Sequence, residues 1–338
     1  MKLKVEKNEK ENDTGVKTLD NILAQIQNKH GKDCIRKLGD SSIIKINTIK
    51  TGSMALDNAT KINGLPRGRI VEIYGREMSG KTCLSLSAIA QAQKLGLNCA
   101  FIDAEYALST DMAEGIGVVL DDLILVQPDY GEHALEITLA LVESGIFGII
   151  VVDSVAALIP KAELDGTMED QQMGIQARML GKGLRKLTNV ISKTNTCVIF
   201  INQIRDTIGG FGYGPKTTTP GGKALKFFSS MRLEVKPIGQ IKKGDEVIGN
   251  KLKIQVTKNK LAAPCRIAET ELYFGKGFSR SSEILDLTVA KDIIKKDKMT
   301  FSYNGDRLGI GKAAVRDLLD SDEKLYNKIM KDLDKCQE

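Results

Sequence analysis

One stretch leaves this chain few folds to choose from. The apolar run RIVEIY (69–74) ends in GREMSGKT (75–82), and TCLSLSAIAQAQKL follows at once with helical spacing. Gly75, Arg76, Glu77, Met78, Ser79, Gly80, Lys81 and Thr82 match GxxxxGK[ST] between a predicted strand and a predicted helix, the setting that the motif requires. A loop there wraps backbone N–H groups around phosphate oxygens. Glycine is needed where a side chain would collide, and the helix N-terminus adds partial positive charge. Lys81 is expected to neutralise the outer phosphates and the Thr82 hydroxyl to ligate Mg²⁺. With Cys83 directly behind it, the segment 75–83 is the expected nucleotide-binding loop.

The same alternation continues along the chain. NCAFIDAE, LILVQPD, FGIIVVDS and CVIFINQ are short apolar runs, separated by helical segments such as EHALEITLALVES. Strands without polar alternation, interleaved with helices, predict an α/β fold with a mainly parallel sheet covered on both faces. A metal-bound triphosphate needs a carboxylate at a strand end, and Asp153 directly follows the run 147–152. Hydrolysis also needs a group that orients or deprotonates water. Glu105 and Asp103 both lie where parallel strands bring their carboxyl ends together, and spacing does not choose between them. After Gly222 the pattern turns antiparallel (MRLEVKPIG, KLKIQVTKNK, TELYFG). A helix-rich stretch from about Ser281 forms a small C-terminal domain.

Residues 1–13 are almost all charged or polar and are expected to be disordered. Val16, Leu19, Ile22, Leu23 and Ile26 then recur at helical spacing up to Gly31. A short helix with one apolar stripe has to dock on something else.

The net charge of +6, from 49 basic and 43 acidic residues, permits an anionic partner without establishing one. The cysteines at 34, 83, 99, 197, 265 and 336 have no metal-type spacing, and the only histidines are His30 and His133. That disfavours zinc and predicts mostly buried thiols in a reducing compartment. No apolar run approaches the roughly 20 residues that span a bilayer, and no leader pattern is present, so a cytoplasmic protein with no membrane association is expected.

Two stretches do not read as core: 163–173 (ELDGTMEDQQM) and 204–222 (IRDTIGGFGYGPKTTTPGG). Long polar or glycine-rich loops in a compact domain are functional or disordered. Met173, Ile208, Phe211 and Tyr213 suit contact with bases, and Arg178, Arg185, Arg205 and Lys216 suit contact with phosphates. Taken alone, a mobile loop without a ligand is an equal reading.

GREMSGKT, FIDAEYAL, QPDYGEHALEI, IIVVDSVAALIPKAEL, MGIQARML, IFINQIR, TTTPGGKALKFF and KNKLAAP, in this order and at these separations, resemble the bacterial RecA recombinase family from about Thr14 to about Lys312. The resemblance implies an ATP- and Mg²⁺-dependent protein that forms helical filaments on single-stranded DNA and pairs it with homologous double-stranded DNA. A role in activating self-cleavage of a LexA-type repressor goes with it. It implies three parts: a flexible segment with a polymerisation helix and strand (1–42), a RecA-type ATPase core (43–279) and a C-terminal α+β domain (280–338).

By resemblance, Glu105 is the water-activating glutamate and Asp153 the carboxylate on the Mg²⁺ side. Gln203 senses the γ-phosphate, and Lys258 and Lys260 reach the ATP of the adjacent protomer. Met173 and Ile208 insert between bases, while Arg178, Arg185, Arg205, Gly221 and Gly222 contact the DNA backbone. Lys226, Phe227 and Arg232 are interface positions.

Three residues depart from the family pattern: Arg76 for a common proline, Met112 for the adenine-stacking tyrosine, and Ser109 for an aspartate. The last 18 residues mix five acidic residues with four lysines instead of the strongly acidic tail of many relatives. An acidic tail competes with DNA for basic surface, so weaker autoinhibition and less dependence of duplex binding on free Mg²⁺ than in those relatives are expected. Appending an acidic segment should steepen both the salt and the Mg²⁺ dependence of duplex binding. An unchanged dependence refutes the expectation.

Overall fold

The computed structural model describes residues 18–35, 46–167, 174–206 and 217–335. Met173, Ile208, Phe211, Tyr213 and Lys216, expected at the DNA loops, lie outside them, as do residues 1–13. The chain separates into two compact units, Met1–Lys45 and Ile46–Glu338.

In the first unit the apolar stripe forms helix α1 (Leu19–His30). The Thr18 hydroxyl accepts from the Asn21 N–H at 3.4 Å, Asp20 lies in the first turn, and Lys29 and His30 lie in the last. That charge order matches the helix dipole. Gly31, at φ +99°, ends the helix. None of its residues is buried: Leu19 and Ile22 of the stripe are exposed, and Leu23 and Ile26 are half-buried.

The second unit is built on a nine-stranded sheet. Its strands are β1 (Arg69–Gly75), β2 (Asn98–Asp103), β3 (Leu123–Val126), β4 (Phe147–Asp153), β5 (Cys197–Gln203), β6 (Met231–Lys243), β7 (Glu246–Asn259), β8 (Ile267–Tyr273) and β9 (Gly277–Phe278). The spatial order is β9-β8-β7-β6-β1-β5-β4-β2-β3. From β6 to β3 neighbours run parallel, and from β6 to β9 they run antiparallel.

This arrangement follows from the side chains. β1, β4 and β5 carry almost unbroken Ile, Val and Phe, because helices cover both of their faces. On one face Ile73, Phe101 and Ile199 pack with Leu84, Leu86 and Ile89 of α2 (Lys81–Lys94). On the other, Ile70, Ile102, Val152 and Phe200 pack with Ala134 and Val142 of α3 (Gly131–Glu143) and with Leu180, Leu184 and Leu187 of α4 (Ile175–Thr194). Each such side chain contributes about 1.5–3 kcal/mol on burial, so the strand ends that carry the chemistry sit on a rigid floor.

Beyond residue 279, three helices (Arg280–Ala290, Lys312–Ser321, Glu323–Lys335) enclose their own cluster of Ile284, Leu285, Phe301, Val315, Leu319 and Ile329. Residues 294–310, which the pattern left within a helix-rich stretch, form a three-stranded antiparallel sheet (Ile294–Asp297, Thr300–Tyr303, Asp306–Ile310). The available signal was Asn304-Gly305, both at positive φ, which makes a tight hairpin turn. Among the described residues, no helix is long and apolar enough to cross a membrane. Of the five described cysteines only Cys99 and Cys197 are buried. Cys34 and Cys265 are exposed because both stand in connections outside the sheet, so the expectation of mostly buried thiols does not hold.

Candidate active site

The nucleotide loop is the joint between β1 and α2. A Cβ added at Gly75 would come within 2.3 Å of the Val235 carbonyl oxygen, and Gly80 adopts φ +89° as the helix N-cap. Both positions therefore require glycine, for lack of space and for backbone conformation respectively. Lys81 folds back so that its Nζ donates to the Arg76 carbonyl at 2.7 Å. The Ser79 hydroxyl is buried without a hydrogen-bond partner inside this cradle. An unpaired buried hydroxyl, a curl of backbone amides and a helix N-terminus together fit a phosphate group. The Arg76 side chain is exposed, and only its backbone enters this geometry.

Strand ends bring the acidic groups to the loop. Asp103 and Asp153 are register partners on β2 and β4, and the Thr82 hydroxyl donates to Asp153 at 2.7 Å. Burial pushes the Asp153 carboxyl up to about 6; the Thr82 hydrogen bond and the Lys81 charge oppose that shift, and Glu105 and Asp103 reinforce it. Burial likewise depresses Lys81, against the pull of Asp153, Glu105 and Glu77.

The two carboxylates that spacing could not separate are distinct here. Asp103 accepts from the backbone N–H groups of Ala107 and Leu108, both at 3.2 Å, so it builds the turn after its strand. Glu105 lies on that turn, next to Tyr106 at φ +56°. Its carboxylate accepts from the Ser154 hydroxyl at 2.5 Å and from the Gln203 amide at 3.3 Å.

A cavity of about 330 Å³ extends from Lys81, Thr82, Glu105 and Asp153 toward Cys83, Leu108, Met112, Asn250 and Phe274. Its far end is soft and apolar: the sulfurs of Cys83 and Met112 are 3.7 Å apart. Met112 and Phe274 offer flat or polarisable surface in place of a stacking tyrosine. Ser109 caps the following helix, Thr110–Ile116, by accepting from the Met112 N–H at 3.2 Å, a task an aspartate would also perform. Sequence reasoning missed Ser154, Asn250 and Phe274. Ser154 directly follows Asp153, which was a usable signal. The other two reach the cavity only through tertiary folding.

A second cluster lies away from that cavity. Lys258 Nζ donates to the carbonyls of Lys226 at 2.5 Å and Phe227 at 3.2 Å, and Lys260 Nζ donates to Phe227 at 3.3 Å. Both cations thus sit at the C-terminal end of the short helix Ala224–Phe228, with Arg232 opposite Lys258 across the β6–β7 ladder. Burial depresses Lys258, as do Lys260 and Arg232, while Glu72 opposes them. Phe227 is 68 % exposed. Neither lysine lines the nucleotide cavity of its own chain.

Of the expected DNA-loop residues, Arg178 and Arg185 lie on the exposed side of α4, and Arg205 stands in a two-residue pairing with Thr218. Gly221 and Gly222, both at positive φ, press against Leu180 and Ala177 of α4. The loop exit is thereby pinned beside the helix that carries the arginines.

A phosphate loop at the switch of a twisted α/β sheet, flanked by strand-end carboxylates, defines a P-loop nucleotide-hydrolysing protein. The RecA N-terminal domain family matches residues 17–279, and the RecA C-terminal domain family matches residues 282–336. Protein RecA of Fusobacterium nucleatum is 52% identical over 317 residues, covering 94% of this chain and 84% of that protein. Protein RecA of Chloroherpeton thalassium is 50% identical over 324 residues, covering 96% and 90%, and that of Staphylococcus carnosus is 50% identical over 318 residues, covering 94% and 88%. The chain belongs to the RecA family. It is a DNA-dependent ATPase and recombinase that assembles with itself on single-stranded DNA and exchanges strands in DNA repair.

Proposed function

We propose that ATP is split at a seam between two protomers, with Lys81, Thr82, Asp153, Glu105 and Gln203 supplied by one and Lys258 and Lys260 by its neighbour. In this reading the amides of 75–83 and Lys81 hold the phosphates. Glu105 orients water and takes up its proton. Gln203, on the strand that opens the loop 204–222, reports the outer phosphate to that loop. Mg²⁺ held by Thr82 and Asp153 would neutralise charge on the phosphate oxygens. Their hard oxygen donors suit it. Among the described residues no group of three His, Cys, Asp or Glu side chains could hold a metal ion.

Arg178, Arg185, Arg205, Gly221 and Gly222 lie along the DNA backbone in the same reading, Met173 and Ile208 between its bases, and the exposed Phe227 with Lys226 and Arg232 at the seam. Contacts of this kind carry no base code, so single- and double-stranded DNA of any sequence would serve. Participation of a LexA-type repressor and a cytoplasmic site of action belong to the same proposal.

The observation that carries the reading is the Gln203–Glu105 contact at 3.3 Å, which joins the root of the second loop to the acid at the nucleotide. The test is phosphate release with and without single-stranded DNA, read beside electron micrographs of the same samples. Strong stimulation together with helical filaments supports the reading. Closed rings, or a turnover indifferent to DNA, refute it.

The raised Asp153 carboxyl gives a separate expectation. The folded chain binds this proton more tightly than the unfolded chain, so ionising Asp153 costs the free protein stability as pH rises toward and past about 6. Ligation requires the ionised form. Uptake of Mg²⁺-nucleotide at pH 6 should therefore release about half a proton, and at pH 8 almost none, measured by titration calorimetry in two buffers of different ionisation heat. Asp153→Asn should remove the difference. Equal proton release by the parent protein at both pH values takes Asp153 out of the ligand set.

A further inference from the structure

Glu72 is a carboxylate with no exposure, placed in the middle of β1 among Ile70, Val71 and Ile73. Burying a charge there has a large desolvation cost, and an apolar residue of equal volume is often neutral or better for stability. Its contacts point elsewhere. On one side its carboxylate accepts from the Arg232 guanidinium on β6. On the other it accepts from the Asn202 amide on β5 at 3.1 Å.

Asn202 continues the chain. Its amide also donates to the Pro220 carbonyl at 3.2 Å, and its oxygen accepts from the Gln203 N–H at 2.9 Å. Arg232 extends the other end, lying over the Tyr74 ring at 4.3 Å, while the Tyr74 hydroxyl bonds Thr257 at 3.0 Å, next to Lys258. Three adjacent strands are thus laced by one buried polar chain. It runs from the cation cluster (Arg232, Lys258) to the backbone of Gln203 and to the residue before Gly221.

We infer that Glu72 is a positioning residue: it ties the cations of the seam to Gln203 and to the exit of the second DNA loop, so that a shift of Arg232 at the seam is felt at the nucleotide. This rests on the seam proposed above. Glu72 is buried and does not line the nucleotide cavity. Both hydrogens and the oxygen of the Asn202 amide are engaged, so moving Glu72 obliges Asn202 to follow, or leaves a buried polar group unpaired.

Two variants cut the chain at different links. Glu72→Gln keeps shape and the bond to Asn202 but removes the charge that holds Arg232. Asn202→Ala keeps the ion pair but frees Gln203 and Pro220. Each should lower single-stranded-DNA-stimulated kcat about tenfold, and the double variant should lose no more than either single one, because both break one coupled unit. Nucleotide affinity and DNA-independent turnover should stay within about twofold, a split that a merely structural role does not produce.

Additive losses, an unchanged DNA stimulation, or an equal fall in basal and stimulated turnover would each overturn the inference. If Glu72→Gln does not fold, Asn202→Ala decides alone; if neither folds, Glu72 is structural and the inference fails. Failure of the seam itself has a separate signature: turnover does not recover when Glu105→Gln and Lys258→Ala protomers are mixed. An unchanged DNA stimulation in the two variants, with that recovery intact, rejects Glu72 alone.

Discussion

Glu105→Gln should retain nucleotide binding and lower DNA-stimulated ATP hydrolysis by about 100-fold or more, the usual range for loss of a positioned general base. Glutamine has nearly the same shape, and its carbonyl can still accept from the Ser154 hydroxyl and the Gln203 amide, so the turn after β2 is kept. What disappears is basicity. Asp103 cannot substitute, because its two oxygens are committed to the Ala107 and Leu108 amides and its side chain is buried beneath the turn. Single-turnover phosphate release, with nucleotide affinity measured in parallel by fluorescence, separates the two effects. A loss smaller than about tenfold, or a loss of affinity alone, would place the base elsewhere.

The choice of base is not written in the residue spacing. The phosphate loop was legible because its glycines answer to local geometry: a Cβ at Gly75 would come within 2.7 Å of the Ser79 hydroxyl and Gly80 takes a left-handed conformation, and both constraints leave a trace in eight consecutive residues. The sheet was legible because β1, β4 and β5 are covered on both faces and so lack polar alternation. The choice between Asp103 and Glu105 was not, since it depends on where the amides of 107 and 108 turn, a matter of backbone path and not of residue type.

Glu72 was illegible for a related reason. In RIVEIYG it is a single charge inside an apolar run, and nothing near it in the sequence says what pairs it. Only the arrival of β6 and β5 on either side, bringing Arg232 and Asn202, gives it partners. The lysines of KNK pose the same difficulty. From residue types they suit a solvated turn, and the folded chain instead seats both on the carbonyl end of a five-residue helix. Phe274 and Asn250 come from the antiparallel half of the sheet to a cavity whose motif lies in the parallel half.

The largest effect expected from the seam is one of complementation. Lys258→Ala alone should lower DNA-stimulated turnover by roughly 100-fold, as loss of one charge-stabilising group does, while nucleotide binding by unassembled protomers stays largely intact. Lys258 is suited to act outward. Its Nζ rests on the carbonyls of Lys226 and Phe227, beside the exposed Phe227 ring, and burial depresses it, so an arriving anion would restore the charge that its surroundings oppose. A head-to-tail interface then makes mixing informative. Glu105→Gln protomers carry an intact Lys258, and Lys258→Ala protomers carry an intact Glu105. In an equal mixture on single-stranded DNA, about a quarter of the seams join the two intact faces, so turnover should rise from near zero for each variant to about a quarter of the parent value. If Lys258 served the nucleotide of its own chain, every protomer in the mixture would still lack one group. The mixture would then hydrolyse no faster than the average of its two components, an outcome that removes the seam from the mechanism.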